Sequence, residues 1–331
     1  MKLIRYGVLA LVLAVLASSV WTLKDDAGSI LDSLKAFPTI WLVPALACAT
    51  WNYAVRFLRW QFYVRKLGIS GVRSWSSLLV FVSGFAMTLT PGRAGEFSKS
   101  YWLRELAGPE QAPVARTAPM VVAERLSDGL GMLLLASAGF AVYQFGAATL
   151  LALAAVFGVA VVLLQVPGLP TKLLAVVARV PGLGRLAHAS AMAVESTTSL
   201  LSGWTLIISV AMSAVAWAGE CTALYVVLLG LGIPPGVETL NQAFFSFSTA
   251  SLVGSASLLP GGLGAAEGAL AALLQAVGNQ PRAIAVAAAL IVRLCTLWFA
   301  VGLGALSLAA LTYQSRRREQ PRMAQLPSTA Q

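Results

Sequence analysis

Long apolar segments dominate this sequence. Runs of about 20 residues with few charges recur along the chain, for example at residues 6–23, 117–143, 147–166 and 204–231. Inside a bilayer every backbone polar group needs an internal partner, which favours helices. Only 11% of the residues are charged, against about 25% in a soluble domain, and the two-residue alternation of an outer-membrane barrel is absent. The sequence therefore predicts an all-α polytopic membrane protein.

Two Pro-Gly sequences interrupt apolar runs, one in each half of the chain. They are Thr90-Pro91-Gly92-Arg93-Ala94-Gly95-Glu96 and Pro260-Gly261-Gly262-Leu263-Gly264-Ala265-Ala266-Glu267. Proline removes a backbone donor and glycine permits positive φ, so each sequence predicts a helix that stops within the membrane. Paired interrupted helices in the two halves of a chain are typical of a transporter site near the midplane. We therefore predict re-entrant breaks at Pro91, Gly92, Pro260, Gly261 and Gly262.

The predicted topology is about six full transmembrane helices plus two re-entrant Pro-Gly-broken hairpins arranged as an inverted repeat. With both breaks re-entrant, 17 of the 23 Lys and Arg residues fall on one side of the membrane. The positive-inside bias then predicts that both termini are cytoplasmic, in a multi-pass protein of the plasma (inner) membrane. Two full crossings at the breaks would keep this orientation of the termini, so that alternative stays open.

One transmembrane domain is predicted to occupy residues 1–313. Its first half is 1–166, an interfacial amphipathic linker covers 167–203, and the second half is 204–313. Proline and glycine punctuate the linker, whose short amphipathic pieces are typical of a segment that lies in the interface. Residues 314–331 read as a basic, disordered cytoplasmic tail.

Charged side chains within the apolar segments are the candidate binding residues. They are Arg93, Glu96, Glu124, Arg125, Asp128, Glu220, Glu267 and Arg293. A charge in hydrocarbon costs about 2.5 to 3.5 kcal/mol on insertion scales and marks a functional site by default. Helical spacing predicts one face for Arg93, Glu96 and Lys99, whereas Glu124 and Asp128 have a structural ion pair as their alternative. Arg56 and Arg59 are expected to contact headgroups at the cytoplasmic surface, with a position at a lateral entrance as the alternative.

Arginine suits a phosphate because its planar fork stays charged and donates two parallel hydrogen bonds. The backbone amides after each break would add affinity for an anion. The glutamates would contact cationic groups or balance charge, and Glu96, Glu220 and Glu267 allow proton coupling without requiring it. Ser248, Ser251 and Ser255 form either a polar track for a headgroup or a small-residue packing face.

Several function classes are excluded. The net charge of +10 comes from bases between apolar segments, not from a basic soluble face, so nucleic-acid binding is not expected. The three cysteines have no metal-ligand spacing, and no nucleotide or hydrolase motif has its required context. No cofactor, no metal and no enzymatic activity are predicted.

The two Pro-Gly motifs, Glu124-Arg125 and the later Arg293 resemble the membrane domain of lysylphosphatidylglycerol synthases, which also occurs as stand-alone flippase-like proteins. The resemblance extends from Met1 to about Tyr313. It implies movement of a lipid between leaflets, and a glycosyltransferase or lipid-modifying enzyme as a partner. Because the soluble aminoacyl-transfer domain of the two-part synthases is absent from this sequence, lysine transfer is not implied.

The leading hypothesis is a translocase for an anionic-headgroup lipid, either a phospholipid or a polyprenyl-phosphate-linked lipid. Two alternatives remain open. One is a secondary transporter of a small anionic solute, whose path needs to open only to water. The other is a non-transporting partner of a lipid-modifying enzyme. The sequence does not predict the lipid, the direction of movement, the energy source or the oligomeric state.

Overall fold

The structure is a computed structural model that describes residues 27–143 and 186–323, with the isolated positions 151, 155, 158 and 159 between them. The predicted first span at residues 6–23, nearly all of the run at 147–166 and most of the linker lie outside the described residues. Throughout the described part the regular structure is helical, without strands. The all-α class is thereby confirmed.

Eleven α-helices make up the described part. In chain order they are α1 (Ala27–Ala36), α2 (Leu42–Lys66), α3 (Ser74–Ala86), α4 (Ser98–Ala107), α5 (Val114–Tyr143), α6 (Leu186–Leu201), α7 (Gly203–Gly230), α8 (Val237–Ala256), α9 (Ala265–Gly278), α10 (Arg282–Arg293) and α11 (Phe299–Met323). Short 3₁₀ turns lie at Thr39–Trp41, Met87–Leu89, Pro91–Phe97 and Pro260–Gly262. A π-helical turn, Leu294–Trp298, joins α10 to α11.

Two helical segments are long and apolar enough to cross a bilayer. They are Gly203–Gly230, with 28 residues, and Arg282–Ser315, with 34 residues. At the helical rise both exceed the hydrocarbon thickness of about 30 Å. A third span is added if α1 and the helix ending at Lys66, which meet at a 76° bend, form one crossing. These segments make the chain a membrane protein; the count of six crossings and two re-entrant hairpins remains a prediction.

The helices pack around two apolar clusters. One is built from α5 and α7 to α10 with members such as Leu224, Phe245 and Leu274, all at most 1% exposed. The other is built mainly from α2 to α5 and includes Trp60 and Phe81, also at most 1% exposed. The candidate site lies where residues from both clusters meet, so the packing of both halves determines its shape.

Small residues allow several helices to approach closely. A Cβ atom added at Gly304 of α11 would lie 2.3 Å from the backbone N of Ala86, at the end of α3. A Cβ atom at Gly131 of α5 would lie 2.7 Å from Cβ of Ser213 on α7. Such contacts are common between membrane helices, whose association depends on close packing rather than on a hydrophobic driving force. They hold the end of α3 and the middle of α5 in fixed positions.

Two boundaries differ from prediction. The helix α2 continues to Lys66, so Arg56 and Arg59, expected at the membrane surface, lie within it and are 8% and 0% exposed. Their expected position among headgroups was wrong, because an acidic side chain of α5 pairs with them inside the protein. The helix α11 runs to Met323, so residues 314–323 of the predicted disordered tail are helical. Arg, Gln and Glu there are good helix formers that extend an existing helix.

Candidate functional site

The first break is a compact turn after α3. Gly92 and Arg93 both have left-handed backbones, with φ of 58° and 56°. The hydroxyl of Thr90 donates to Met87 O at 2.7 Å and accepts from Gly95 N at 2.8 Å, which closes the turn. A left-handed arginine is uncommon, and such conformations concentrate at functional sites. Because Arg93 is not helical, the predicted common face with Glu96 and Lys99 is wrong.

The second break is a turn between α8 and α9. Leu258, Gly261, Gly262 and Gly264 all have positive φ. A Cβ atom at Gly262 would lie 3.1 Å from Cα of Gly254, so only glycine combines this backbone with so close an approach to α8. The turn therefore packs directly against the helix that precedes it.

The two breaks touch each other. The backbone N of Gly92 donates a hydrogen bond to the backbone O of Leu258, at 3.0 Å. A Cβ atom at Gly261 would lie 3.1 Å from Cδ2 of Leu89, so the tips are also in apolar contact. Sequence positions more than 160 residues apart thus meet at one point. This contact is compatible with the inverted-repeat interpretation.

Arg293 and Glu267 hold the second tip in shape. Arg293 Nε lies 2.7 Å from Glu267 Oε1, and its Nη2 donates to Gly261 O at 2.6 Å. Glu267 Oε2 accepts from Gly264 N at 2.7 Å, which caps the start of α9. The arginine is 14% exposed at its side chain. Two donor nitrogens of Arg293, Nε and Nη2, are therefore engaged by groups of the second tip.

Glu96 and Arg125 form the equivalent pair at the first tip. Arg125 Nη2 bonds Glu96 Oε2, and the Thr88 hydroxyl donates to Glu96 Oε1 at 3.3 Å. Glu96 is 1% exposed, whereas the side chain of Arg125 is 28% exposed. Arg125 thus presents part of its guanidinium to open space while the carboxylate stays covered.

Asp128 forms ion pairs with three arginines. Its Oδ1 lies 2.8 Å from Arg59 Nη1, and its Oδ2 lies 3.5 Å from Arg56 Nη2 and 3.7 Å from Arg125 Nη1. The hydroxyl of Ser213 donates to Asp128 Oδ1 at 3.1 Å. Sequence reasoning missed Arg56 and Arg59 as members of this cluster. The segment from Trp60 to Val64, in which only Gln61 is strongly polar, is the signal that the helix does not end at the arginines.

Glu124 belongs to a separate buried pair. Its Oε2 bonds Lys99 Nζ, with side-chain exposures of 0% and 3%. The ammonium of Lys99 also lies 5.2 Å and 5.9 Å from the ring centroids of Trp60 and Phe81. Within the described residues this pair does not line the cavity, which favours the structural alternative for Glu124.

A cavity lies beside the meeting point of the two tips. Its volume is about 60 Å³, space for only a few water-sized groups. That is the size of a phosphate group rather than of a lipid with its chains. The polar side chains that line it are Tyr53, Arg56, Thr88, Arg93, Arg125, Trp217, Glu220, Ser251, Ser255, Arg293 and Thr296.

The predicted acids are distributed differently from expectation. Glu96 and Glu267, both predicted as binding residues, do not line the cavity; the arginines that they pair with, Arg125 and Arg293, line it instead. Among the described acids, Glu220 alone contributes to the lining. Arg93 forms no side-chain hydrogen bond and no ion pair with any described residue. The cavity therefore presents an excess of unsatisfied arginine donors.

The serines of α8 divide into two groups. Ser251 and Ser255 line the cavity, whereas the hydroxyl of Ser248 donates to the carbonyl of Phe244 within its own helix. The predicted track is therefore continuous with the cavity only over its last part. In the described ranges no group of three or more His, Cys, Asp or Glu residues could hold a metal ion.

Helices long enough to cross a bilayer, with ionisable groups buried around a small cavity, define an α-helical membrane protein. The chain belongs to the family described as the lysylphosphatidylglycerol synthase TM region, whose model matches residues 5–304. The resemblance stated from the sequence is thereby confirmed, and the family region makes up nearly the whole chain.

Two relatives, both described as a UPF0104 membrane protein of Methanothermobacter thermautotrophicus, are similar to this chain. One match is 34% identical over 95 residues, which is 29% of this chain and 27% of that relative. The other is 23% identical over 331 residues and covers 93% of this chain and 95% of the relative. No solved structure matches the chain. The names of the relatives state a membrane location and no activity.

Proposed function

We propose that this protein is a lipid translocase that moves an anionic-headgroup lipid, phospholipid or polyprenyl-phosphate-linked, between membrane leaflets. The observation that carries the proposal is the convergence of Arg56, Arg93, Arg125 and Arg293 on one phosphate-sized cavity. Membership in a family named for a lipid-synthesising enzyme's membrane region supports a lipid-related role.

The arginine set favours an anion. Arg93 has no partner among the described residues, and the Nε atoms of Arg56 and Arg125 are buried without an acceptor. A desolvated guanidinium gains most from a charged acceptor such as phosphate, which can engage two of its donors at once. Arg93 and Arg125 are therefore the proposed primary ligands, with Arg56 as a third.

The small size of the cavity favours a lipid whose chains stay outside. Only a headgroup fits between the tips, so the acyl or polyprenyl chains would remain in the bilayer while the phosphate crosses. Ser251 and Ser255 extend the polar lining along α8. Arg293, which holds Glu267 and Gly261 O, would position the second tip rather than bind the headgroup.

The test is a flip assay in liposomes. Purified protein is reconstituted with a headgroup-labelled anionic lipid, and the label accessible on the outer leaflet is followed over time. We expect acceleration over protein-free vesicles, and we expect Arg93→Gln to remove it. The matched control is Arg282→Gln, at an exposed position of α10. No acceleration with any of several anionic lipids would refute the proposal.

The same liposomes separate the alternative functions. Uptake of radiolabelled inorganic phosphate into sealed vesicles without lipid movement would identify a solute transporter. Loss of both activities, with a stable protein, would favour a non-transporting partner. The proposed orientation, with both termini cytoplasmic, is tested by labelling single cysteines introduced in the tail after residue 313 in right-side-out vesicles; labelling from outside would contradict it.

A further inference from the structure

Glu220 is the cavity's unpaired carboxylate. It lies on α7, is 7% exposed, and forms no hydrogen bond or ion pair with any residue that the structure describes. The other acids that the sequence predicted for the site, Glu96, Glu124, Asp128 and Glu267, each contact at least one base. A charged group at this depth without a partner is unfavourable unless it has a role that needs it unpaired.

The charged and titratable groups around Glu220 come from several elements. They are Tyr53 and Arg56 on α2, Arg125 and Asp128 on α5, Arg93 on the first tip, Arg293 on α10 and the neighbouring thiol of Cys221 on α7 itself. From α8 the cavity receives only the hydroxyls of Ser251 and Ser255, and the described part of α6 gives it no ionisable side chain. The one carboxylate in the lining therefore shares a small space with the cation, Arg93, that also has no described partner.

An anionic headgroup that enters this space meets Glu220 within a few ångströms, because the cavity volume is only about 60 Å³. The headgroup engages Arg93 and Arg125, the cations of the cavity that would otherwise act as counter-ions for Glu220, so its added negative charge favours binding of a proton by one of the two anionic groups. A phosphodiester is too weak a base to take that proton. The carboxylate is the group that can.

We propose that Glu220 binds one proton when the headgroup binds and releases it when the headgroup leaves. This inference rests on the proposed function and adds the means by which headgroup movement is coupled to protons. The proton comes from the water on the side to which the cavity is open and forms an O–H bond on the carboxyl of Glu220. The site gains one negative charge from the lipid and one positive charge from the proton, so its net charge is unchanged by binding.

The test counts protons. Dihexanoyl phosphatidylglycerol is a water-soluble phosphodiester whose own charge is constant near neutral pH. Its binding to the full chain in detergent is measured by titration calorimetry in buffers that differ in ionisation enthalpy, at several pH values. We expect uptake of about one proton per lipid, with affinity that rises by up to about tenfold for each unit that the pH falls.

Three variants test whether the proton is bound by Glu220. Glu220→Gln should still bind the lipid but take up no proton and lose the pH dependence. Glu220→Asp, which keeps a carboxyl group, should keep proton uptake and guards against a folding defect in the glutamine variant. Glu238→Gln, at an exposed position, is the matched control and should resemble the unaltered protein.

Each outcome decides a different claim. Lipid binding by the unaltered protein without proton uptake at any pH overturns the proton role and leaves the proposed function standing. Proton uptake that persists in Glu220→Gln overturns the assignment to this residue. Absence of binding by the unaltered protein overturns this inference for a phosphatidylglycerol headgroup, and the proposed function is then decided by the flip assay with several anionic lipids.

Discussion

The Lys99–Glu124 pair permits a prediction that separates structural charges from binding charges. Lys99→Met leaves a carboxylate that is 0% exposed without its base, and breaking a buried pair in this way costs about 3–5 kcal/mol. Glu124→Met leaves the ammonium, which keeps its positions over Trp60 and Phe81. A desolvated cation–π contact contributes about 2 kcal/mol, so this variant should lose only about 1–3 kcal/mol.

The double variant Lys99→Met with Glu124→Met should return to within about 1 kcal/mol of the unaltered protein, because two apolar side chains of similar volume replace an ion pair. The free energy of unfolding is measured by sodium dodecyl sulfate titration in mixed micelles. Arg104→Met, at an exposed position of the same helix α4, is the control and should change it by less than about 0.5 kcal/mol. A double variant as unstable as the sum of the single variants would refute the reasoning.

Four further predictions follow from the site. The double variant above should retain lipid movement, since neither side chain lines the cavity; loss of flip activity at unchanged stability would return Glu124 to the binding site. Arg93→Gln should abolish lipid movement while changing the free energy of unfolding by less than about 0.5 kcal/mol. Arg293→Gln should also lower the free energy of unfolding by about 2–3 kcal/mol, because it leaves Gly261 O and Glu267 without their hydrogen-bond donor. Gly262→Ala should destabilise the fold by about 1–2 kcal/mol or more, because its φ of 67° is unfavourable for alanine and the added Cβ would lie 3.1 Å from Gly254. An unchanged midpoint of thermal unfolding would contradict this packing. Tyr53→Phe should cost about 1 kcal/mol through the 2.6 Å bond to Thr296 O, measured by the same titration.

The sequence predicted the elements of the site better than their contacts. Pro91 and Pro260, each followed by glycine, identify both breaks, because the pair removes a backbone donor and permits positive φ. An arginine on the next long helix pairs with the glutamate of each tip. Such pairs follow from local chemistry. The sequence did not predict which member of each pair lines the cavity: the arginines do, and the glutamates do not.

The missed features depend on long-range contacts. Arg56 and Arg59 are typical of the end of a transmembrane span, because burying two arginines in lipid is costly. Their pairing with Asp128, some 70 residues away in the sequence, is what stabilises them inside the protein. Arg93 was given helical spacing because its left-handed backbone has no marker beyond the preceding glycine. The bond between Gly92 N and Leu258 O involves backbone atoms, which no side-chain pattern encodes.

The π-helical turn at Leu294–Trp298 matters for how relatives are compared. A π turn accommodates one residue more than an α turn, and one residue corresponds to 100° of rotation about the helix axis. Arg293 lies just before this turn and Gly304, which contacts Ala86, lies after it. Because the π turn takes up the extra residue, a relative with one residue fewer here would have an α turn in its place and would keep both the pairing of Arg293 with Glu267 and the approach of Gly304 to α3. A one-residue alignment gap within Leu294–Trp298 therefore marks the loss of the π turn, not a change in the orientation of the two contacts that flank it.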